Sequence, residues 1–569
     1  MHERLFLRVL ACAGMWVFAP LVLAQDAGSL LREQQLREVP QQEQLPERED
    51  EPQAPSGVAK DERGATIILR GVRFTGHAEL LPVEERTRLL EGAIDERLGI
   101  NGLHALADEV TATLQREGML LARAVLPPQD ITEGILTIEI VEGRLANTAF
   151  QRAGDVRASE ERLATIAASH IAVNAVRKED LEEALLRMND HPGVTARAKL
   201  KPGETAGTSD LVVDVTQTPR FSARVSSDNF GDPATGVVQG NVEVTLTDLS
   251  GLGDLTNLSI AASQGQQFVS TAFSMPVGPS GLTAEANYSF LTYRNIDDVG
   301  GALELEGYAH SAGLGLDYAL ARSRDFNLEI SGSVNGKVLV DDSIFGRLAD
   351  KRVISGTLGL SGDARDSLFG GGLSFFSLGW TYGGLDLSRE ASSLTADEAG
   401  LQTQGAFHRV NASLARLQDL PGDFSLFGRI YGQWANKNLD SSQDFSLGGP
   451  HGVRGWPVGE GRGDMGVLGT AELRYDAPIP EDYGDLQLAA FLDGGHVWMN
   501  AGSNGVPNAN ACGCNAYGLA SAGMSARWAR ENLSFSVSYA HSLGSNPGRD
   551  VTDDAGGNQQ FWLTGAVRF

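Results

Sequence analysis

In the run Gly448-Gly449-Pro450-His451-Gly452-Val453-Arg454-Gly455-Trp456, one arginine stands among glycines that permit a tight, close-packed path. An exposed loop needs no such construction; a loop folded back into an enclosed space does. An enclosed guanidinium requires an acidic partner. Downstream, Leu486, Leu488, Ala490 and Leu492 share one parity, which leaves Phe491, Asp493 and Gly495 on the other. Arg454 pairing with Asp493 would pin the loop, with Gly494 and Gly495 making room for it. A surface arginine beside an unrelated aspartate is the other reading, and spacing alone does not separate the two.

Other chemistry is sparse. There is no HExxH, no GxSxG, no convincing His-Asp cluster and no Walker-type phosphate loop, so neither an enzyme nor a nucleotide-driven machine is indicated. No cofactor or metal is expected. Cys512 and Cys514 flank Gly513; a strained disulfide is favoured over free thiols, and two sulfurs are too few ligands for a structural zinc.

These residues need elements to position them. The chain has 569 residues, a formal net charge of −27, 68 glycines and 3 cysteines. That charge disfavours nucleic acid, whose phosphates demand basic residues. Arg4 and Arg8 precede an apolar stretch from Val9 to Leu23, and Val22-Leu23-Ala24 offers a cleavage site before Gln25, so 1–24 reads as a secretory signal. No later stretch is apolar enough for a transmembrane helix. Asp26 to Glu38, with Leu30, Leu31 and Leu36, is a helix candidate within 25–38. The stretch 39–65, with Pro40, Pro46, Pro52 and Pro55, reads as a flexible linker.

Two β-α-α-β-β units follow, at 66–143 and 144–218. In the first, Thr66 to Phe74 is strand-like. Leu89, Leu90, Ile94 and Leu98 form one helical stripe, and Leu103, Leu106, Val110 and Leu114 another, ended by Gly118. Strands at Leu121 to Leu126 and Ile135 to Val141 complete it. The second has a strand at Leu145 to Phe150, helices marked by Leu163 and Ile166 and by Leu181, Leu185 and Met188, and strands at Val194 to Leu200 and Ser209 to Val215. A three-stranded sheet covered on one face by two helices leaves an edge strand free.

After Pro219 the period changes to two. Leu533, Phe535, Val537 and Tyr539 alternate with Ser534, Ser536, Ser538 and Ala540. Such stretches of about ten residues, split by turn clusters, predict transmembrane strands. Sixteen can be placed over 219–569, among them 325–339, 348–363, 467–478, 485–498 and 559–569. Every second connection is short, as at Val277-Gly278-Pro279-Ser280 and Arg530-Glu531, which fits short periplasmic turns and long outer loops. Phe569 would end the last strand and close the barrel against the first, leaving no edge in lipid.

Several motifs then carry a family resemblance. Pro127-Pro128-Gln129, Gly134-Ile135-Leu136 and Val141-Glu142-Gly143 end the first unit; Leu186-Arg187-Met188-Asn189-Asp190, Pro202-Gly203 and Gly207-Thr208-Ser209-Asp210-Leu211 belong to the second. With Asp228-Asn229-Phe230-Gly231, Val453-Arg454-Gly455-Trp456 and the Phe491-x-Asp493-x-Gly495 pattern, the chain resembles the two-partner secretion transporters. These are the haemolysin- and filamentous-haemagglutinin-exporting branch of the BamA-type superfamily. Trp456 stands where many members have Tyr or Phe.

The resemblance implies two POTRA domains in the periplasm before a 16-stranded antiparallel transmembrane β-barrel, α+β modules followed by an all-β domain. It implies export of a large unfolded partner protein, an adhesin, cytolysin or contact-dependent toxin, which docks on the POTRA domains and crosses the outer membrane without ATP. It also implies a monomer inserted into outer-membrane lipid by the barrel-assembly machinery, a plug role for the helix at Leu30, Leu31 and Leu36, and the Arg454–Asp493 pairing. An assembly factor of the same superfamily is the alternative, and an outer-membrane enzyme a less favoured one; assembly factors usually carry three or more POTRA domains, against two units here.

Overall fold

The computed structural model describes residues 25–38, 66–172, 176–205, 207–502, 510, 512–548 and 558–569. The secretory signal and the linker expected at 1–24 and 39–65 lie outside the described residues. The helix α1 (Ala27–Glu38) comes first.

The first module comprises β1 (Thr66–Ile68), β2 (Gly71–Gly76), α2 (Val83–Glu91), β3 (Arg97–Gly99), α3 (Ile100–Arg116), β4 (Arg123–Val125) and β5 (Ile135–Val141). Its sheet has β5 in the centre, parallel to β2 and antiparallel to β4. Leu103, Leu106, Val110 and Leu114 of α3 bury their stripe against Leu136, Ile138 and Ile140.

Three expectations need correction here. The strand read across Thr66 to Phe74 is two strands, because β1 pairs with β3 while β2 pairs with β5. The stripe from Leu89 to Leu98 is not one helix: α2 stops at Glu91, Gly92 caps it, and Asp95 turns the chain with φ 65° so that Leu98 joins β3. Apolar spacing continued past the helix because both elements face one core. The strand read at Leu121 to Leu126 shrinks to Arg123–Val125, since β4 meets β5 over those residues only.

The second module repeats the plan with β6 (Arg144–Ala153), α4 (Glu160–His170), α5 (Lys178–Asn189), β7 (Val194–Pro202) and β8 (Thr208–Gln217). Here β8 is central, parallel to β6 and antiparallel to β7. Leu163, Ile166, Leu181 and Met188 are buried against Leu211, Val213 and Val215. Ser159 caps α4 by accepting from the Arg162 backbone N–H.

The barrel begins with β9 (Phe221–Asp228), β10 (Gln239–Thr247), β11 (Leu255–Ala262), β12 (Gln266–Val277), β13 (Leu282–Arg294), β14 (Glu306–Arg322), β15 (Phe326–Ser343) and β16 (Gly346–Asp366). It continues through β17 (Gly372–Asp386), β18 (Gly405–Asp419) and β19 (Phe424–Ala435). A long loop holding the short strands β20 (Phe445–Ser446) and β21 (Arg462–Gly463) intervenes. The wall then resumes with β22 (Met465–Ala477), β23 (Asp485–Trp498), β24 (Ala516–Arg530), β25 (Leu533–Leu543) and β26 (Gln559–Arg568).

Sixteen strands close into one barrel, each antiparallel to its neighbours, with β26 against β9. Phe569 extends the closure, since its N–H donates to Ala223 O and its carbonyl accepts from Ala223 N–H. Outward parity is apolar and exposed, as at Leu314, Ile354, Leu414 and Phe535. β15 and β16 run past the segments 325–339 and 348–363 read from alternation. The alternation tracks the lipid zone, whereas the backbone ladder continues beyond it.

The second module sits on the end of the barrel that carries the short turns. Arg187 donates to Ser280 O (3.2 Å) and Ala319 O (3.3 Å), Arg162 to Leu252 O (2.8 Å), and Arg322 forks onto Asp190 (2.8 and 2.6 Å). His191 is buried against Gly253, where a Cβ would overlap the imidazole. The modules therefore mark the periplasmic end, and the long connections open on the other side.

Candidate functional site

Among the described residues, two pieces of chain enter the barrel interior. The first is the loop between β19 and β22. Its return is tied by backbone bonds from Val453 N to Leu447 O (2.7 Å), Gly448 N to Glu460 O (2.9 Å) and Gly449 N to Trp456 O (3.0 Å). Gly449 takes φ 105°, which few side chains tolerate. Gly455 lies so close to the wall that a Cβ would be 2.6 Å from Ser521 Cβ and 2.9 Å from Ser542 Cα.

This approach delivers Arg454 onto β23. Arg454 Nε and Nη2 fork onto Asp493 Oδ2 and Oδ1 at 2.8 and 2.7 Å, and its backbone N–H adds a third bond to Oδ2 at 3.2 Å. The guanidinium lies over the Phe491 ring, 3.3 Å from its centre. Asp493 also accepts from Thr470 Oγ1 (3.1 Å) and Ser521 Oγ (3.2 Å). Both charged groups are buried, Arg454 to 7% exposure and Asp493 to 4%. Burial alone would favour losing the Arg454 proton, but the carboxylates around it hold its pKa above the ordinary value.

One of those carboxylates, Glu472 on β22, was not singled out in the sequence. Arg454 Nη1 reaches Glu472 Oε1 at 2.5 Å, and Arg474 and Arg527 reach Oε2 at 2.9 and 3.4 Å. The signal was available: Glu472 and Arg474 share the parity opposite Val467 and Leu473, hence the lumen face. The remaining motif residues surround the pair. Val453 is buried in an apolar cluster with Leu447, Trp456 and Leu468. Trp456 Nε1 donates to Ala520 O (3.2 Å), and Trp562 Nε1 donates to Arg454 O (2.8 Å). Gly495 leaves space for Leu447; Gly494, of opposite parity, does not face the loop.

The second piece is α1. Leu30 and Leu31 pack on Phe268, Leu291, Tyr293, Ala309 and Leu339 of the inner wall. Leu36 is 38% exposed and does not share that contact, so the three leucines do not form one packed face. Ala27 N–H donates to Asp341 Oδ1 (2.8 Å). Asp26 receives Ser441 Oγ at 2.6 Å and Lys351 Nζ at 2.9 Å. Burial opposes its charge, yet Lys351 and these hydrogen bonds hold the carboxyl well below the usual range. Arg462 of the loop donates to Gln25 (2.6 Å) and approaches Glu33 (3.6 Å), while Arg37 donates to the Phe230 carbonyl and Gln239. Helix and loop thus form one polar assembly within the wall.

Cys512 and Cys514 are joined as a disulfide in the connection between β23 and β24, where Cys514 packs against the apolar cluster that holds Leu447, Val453 and Trp456 of the loop.

Comparison with known proteins agrees with this architecture. The family model described as haemolysin secretion/activation protein ShlB/FhaC/HecB matches residues 207–525, and that described as POTRA domain, ShlB-type, matches residues 67–143. The heme/hemopexin transporter protein HuxB of Haemophilus influenzae is 29% identical over 469 residues, 80% of this chain and 80% of its own. The outer membrane transporter CdiB of Dickeya dadantii is 26% identical over 469 residues, 78% of this chain and 79% of its own. The structure of CdiB from Escherichia coli shares the fold, with a TM-score of 0.67 at 22% identity over 91% of this chain and 93% of that one.

Proposed function

Since the chain belongs to the haemolysin secretion/activation protein family, outer-membrane transporters that secrete partner proteins, we propose a division of labour between the two pieces inside its barrel. The loop is the fixed part and α1 the removable one. The observation that carries this reading is the contrast in how each is held. Arg454 is forked onto Asp493, braced by Glu472, and buried with both. Stripping one partner from such a buried pair costs about 3–5 kcal/mol. α1 instead has Leu30 and Leu31 as its buried leucines, about 3–6 kcal/mol of apolar burial, and otherwise polar contacts that run from Asp26, paired with Lys351, through Glu33 and Gln35 to Arg37.

A partner arriving unfolded in the periplasm docks on the modules, whose β6 and β7 are sheet edges able to accept an extended strand by backbone hydrogen bonding. α1 then withdraws, and the partner threads the lumen beside the pinned loop. Folding outside the cell biases the direction, with no nucleotide involved. The Haemophilus influenzae relative is named as a heme/hemopexin transporter; for this chain the cargo is a large secreted adhesin, cytolysin or toxin. The barrel acts as a monomer after insertion by the assembly machinery.

Deleting residues 27–38 tests the plug. The truncated protein, reconstituted in planar bilayers, is expected to show a several-fold larger mean conductance than the full chain. Equal conductance would remove α1 from the mechanism.

A further inference from the structure

Four histidines sit on the outward side of the wall: His310 on β14, His408 on β18, His496 on β23 and His541 on β25. Each shares its parity with an exposed apolar residue of its own strand, Leu314, Leu414, Leu492 and Phe535 in turn. Each also lies within five residues of the outer end of its strand. Cross-strand partners place them near one level. From His408 they run through Tyr382, Gly356 and Val334 to Leu314, four residues below His310. From His496 they run through Val467 and Gly432 to Ala412, four residues below His408. From His541 they run through Ala522 to Leu492, four residues below His496. Strands tilt in a closed barrel, so residues at one height drift along the ladder in this way.

Aromatic rings accompany this level. Phe290, Tyr308 and Tyr288 surround His310, with ring centres 4.8, 5.5 and 6.1 Å away. Trp380 and Tyr382 stand 5.9 and 4.9 Å from His408, and Trp498 stands 4.7 Å from His496. Rings with polar tips settle at headgroup depth on both faces of a membrane. The short-turn end has outward rings too, Phe424 with Tyr475 and Trp528 with Phe535, but no wall histidine joins them. Imidazole is added only on the side away from the modules, which is the outer leaflet.

At His310 the donors converge. The Tyr288 hydroxyl lies 2.8 Å from His310 Nδ1. A phenol is the better donor and an imidazole nitrogen the better acceptor, so Tyr288 donates and Nε2 carries the proton. That N–H has no acceptor among the described residues. Val338 is the cross-strand partner of both His310 and Arg352, so an exposed arginine stands on the same outward face, about 10 Å away across two strand spacings. The carboxylates next in register have partners of their own. Asp342 takes Arg347 at 2.6 Å, Glu306 is opposite Arg294, and Asp386, the other neighbour of Arg352, accepts from the Ser388 N–H at 2.9 Å. We propose that His310 and Arg352, with Tyr288 fixing the imidazole, bind the phosphate of an outer-leaflet glycolipid headgroup. An N–H donor and a guanidinium fork flanking one valine suit a phosphate seated between them, and the Phe290 and Tyr308 rings pack on the lipid below it. The contact anchors the barrel to one leaflet. It depends on neither the plug nor the pinned loop.

The full chain in neutral detergent is titrated with a bis-phosphorylated glucosamine-disaccharide lipid and with the same lipid freed of phosphate, and bound lipid is counted by native mass spectrometry. The phosphorylated form is expected to bind about tenfold tighter. His310→Phe and Arg352→Gln should each remove most of that preference, and Tyr288→Phe, which loses only a hydroxyl, should reduce it. His496→Gln, remote from the site, should keep it. All variants are compared as protein with heat-modifiable gel mobility, the sign of a closed barrel. Equal binding of the two lipids, or a preference undiminished in both His310→Phe and Arg352→Gln, overturns the site. Inorganic phosphate that displaces the lipid at equal concentration shows a site for the free anion and overturns the headgroup assignment.

Discussion

Gly495 on β23 lies directly beneath Leu447 of the inward loop, and a methyl group at Gly495 would overlap the Leu447 side chain and crowd Val467 O at 2.7 Å. Two residues away on the same strand is Asp493, which holds Arg454. The strand therefore offers a socket and a charge to the same loop. Gly495→Ala should lift the loop at a cost of about 1–3 kcal/mol. The expected result is faster proteolysis within 445–463 with heat-modifiable mobility intact; unchanged cleavage would mean that the loop accommodates the methyl group elsewhere.

Arg454→Ala leaves Asp493 buried without its cation, and Asp493→Ala leaves Arg454 with Glu472 alone. Each should give an inserted barrel with partner secretion reduced at least tenfold. Arg454→Lys should not rescue, because one ammonium cannot reproduce the fork. Quantifying the partner in culture supernatant checks this; wild-type amounts from both alanine variants would refute a working role for the pair.

Asp26→Asn removes the carboxylate that draws Lys351 and Ser441 to the start of α1. Lys351 would keep Asp440, so the wall should stay intact while the helix loosens. Single-channel recordings should show an open fraction raised several-fold, and an unchanged trace would place helix retention elsewhere.

His191 supplies a pH dependence at the joint between the second module and the barrel. Burial holds its pKa below the ordinary 6.5, against a smaller raising effect from Asp248; Arg162 also lowers it. The folded joint therefore favours neutral imidazole. Its contribution is complete above about pH 6.5 and declines as pH falls through the lower folded value. Hydrogen exchange in 178–202 should quicken between pH 7.5 and 5 relative to the first module, and His191→Gln should flatten that difference.

The Cys512–Cys514 bridge should leave no thiol open to maleimide before reduction and two after it, in protein without residue Cys12. Full labelling without reductant would show both thiols free.

Much was legible in local pattern. Alternation in Leu533 to Ala540 and in Leu486 to Leu492 reports a wall with lipid on one side, because side-chain direction in a strand has a fixed period of two. The glycine-framed Arg454 and the off-parity Asp493 were legible as candidate ends of a loop contact, but spacing left a surface arginine equally open and only the family resemblance favoured the pairing. Glu472 was passed over because a single lumen carboxylate resembles any other until a neighbouring strand brings Phe491, and the inward loop Arg454, beside it. The break at Leu69 and the early end of α2 were hidden for a related reason. Apolar residues signal that they face the core, not which element carries them.

The sequence by itself determined the order of modules, the number of wall strands and the inward or outward sense of each residue, since all of these follow from periodicity along the chain. Only the tertiary structure decided that α1 lies inside the barrel and that Leu30 and Leu31 pack there while Leu36 does not. Those contacts join positions hundreds of residues apart, and no local pattern encodes which distant surface a short amphipathic segment will cover.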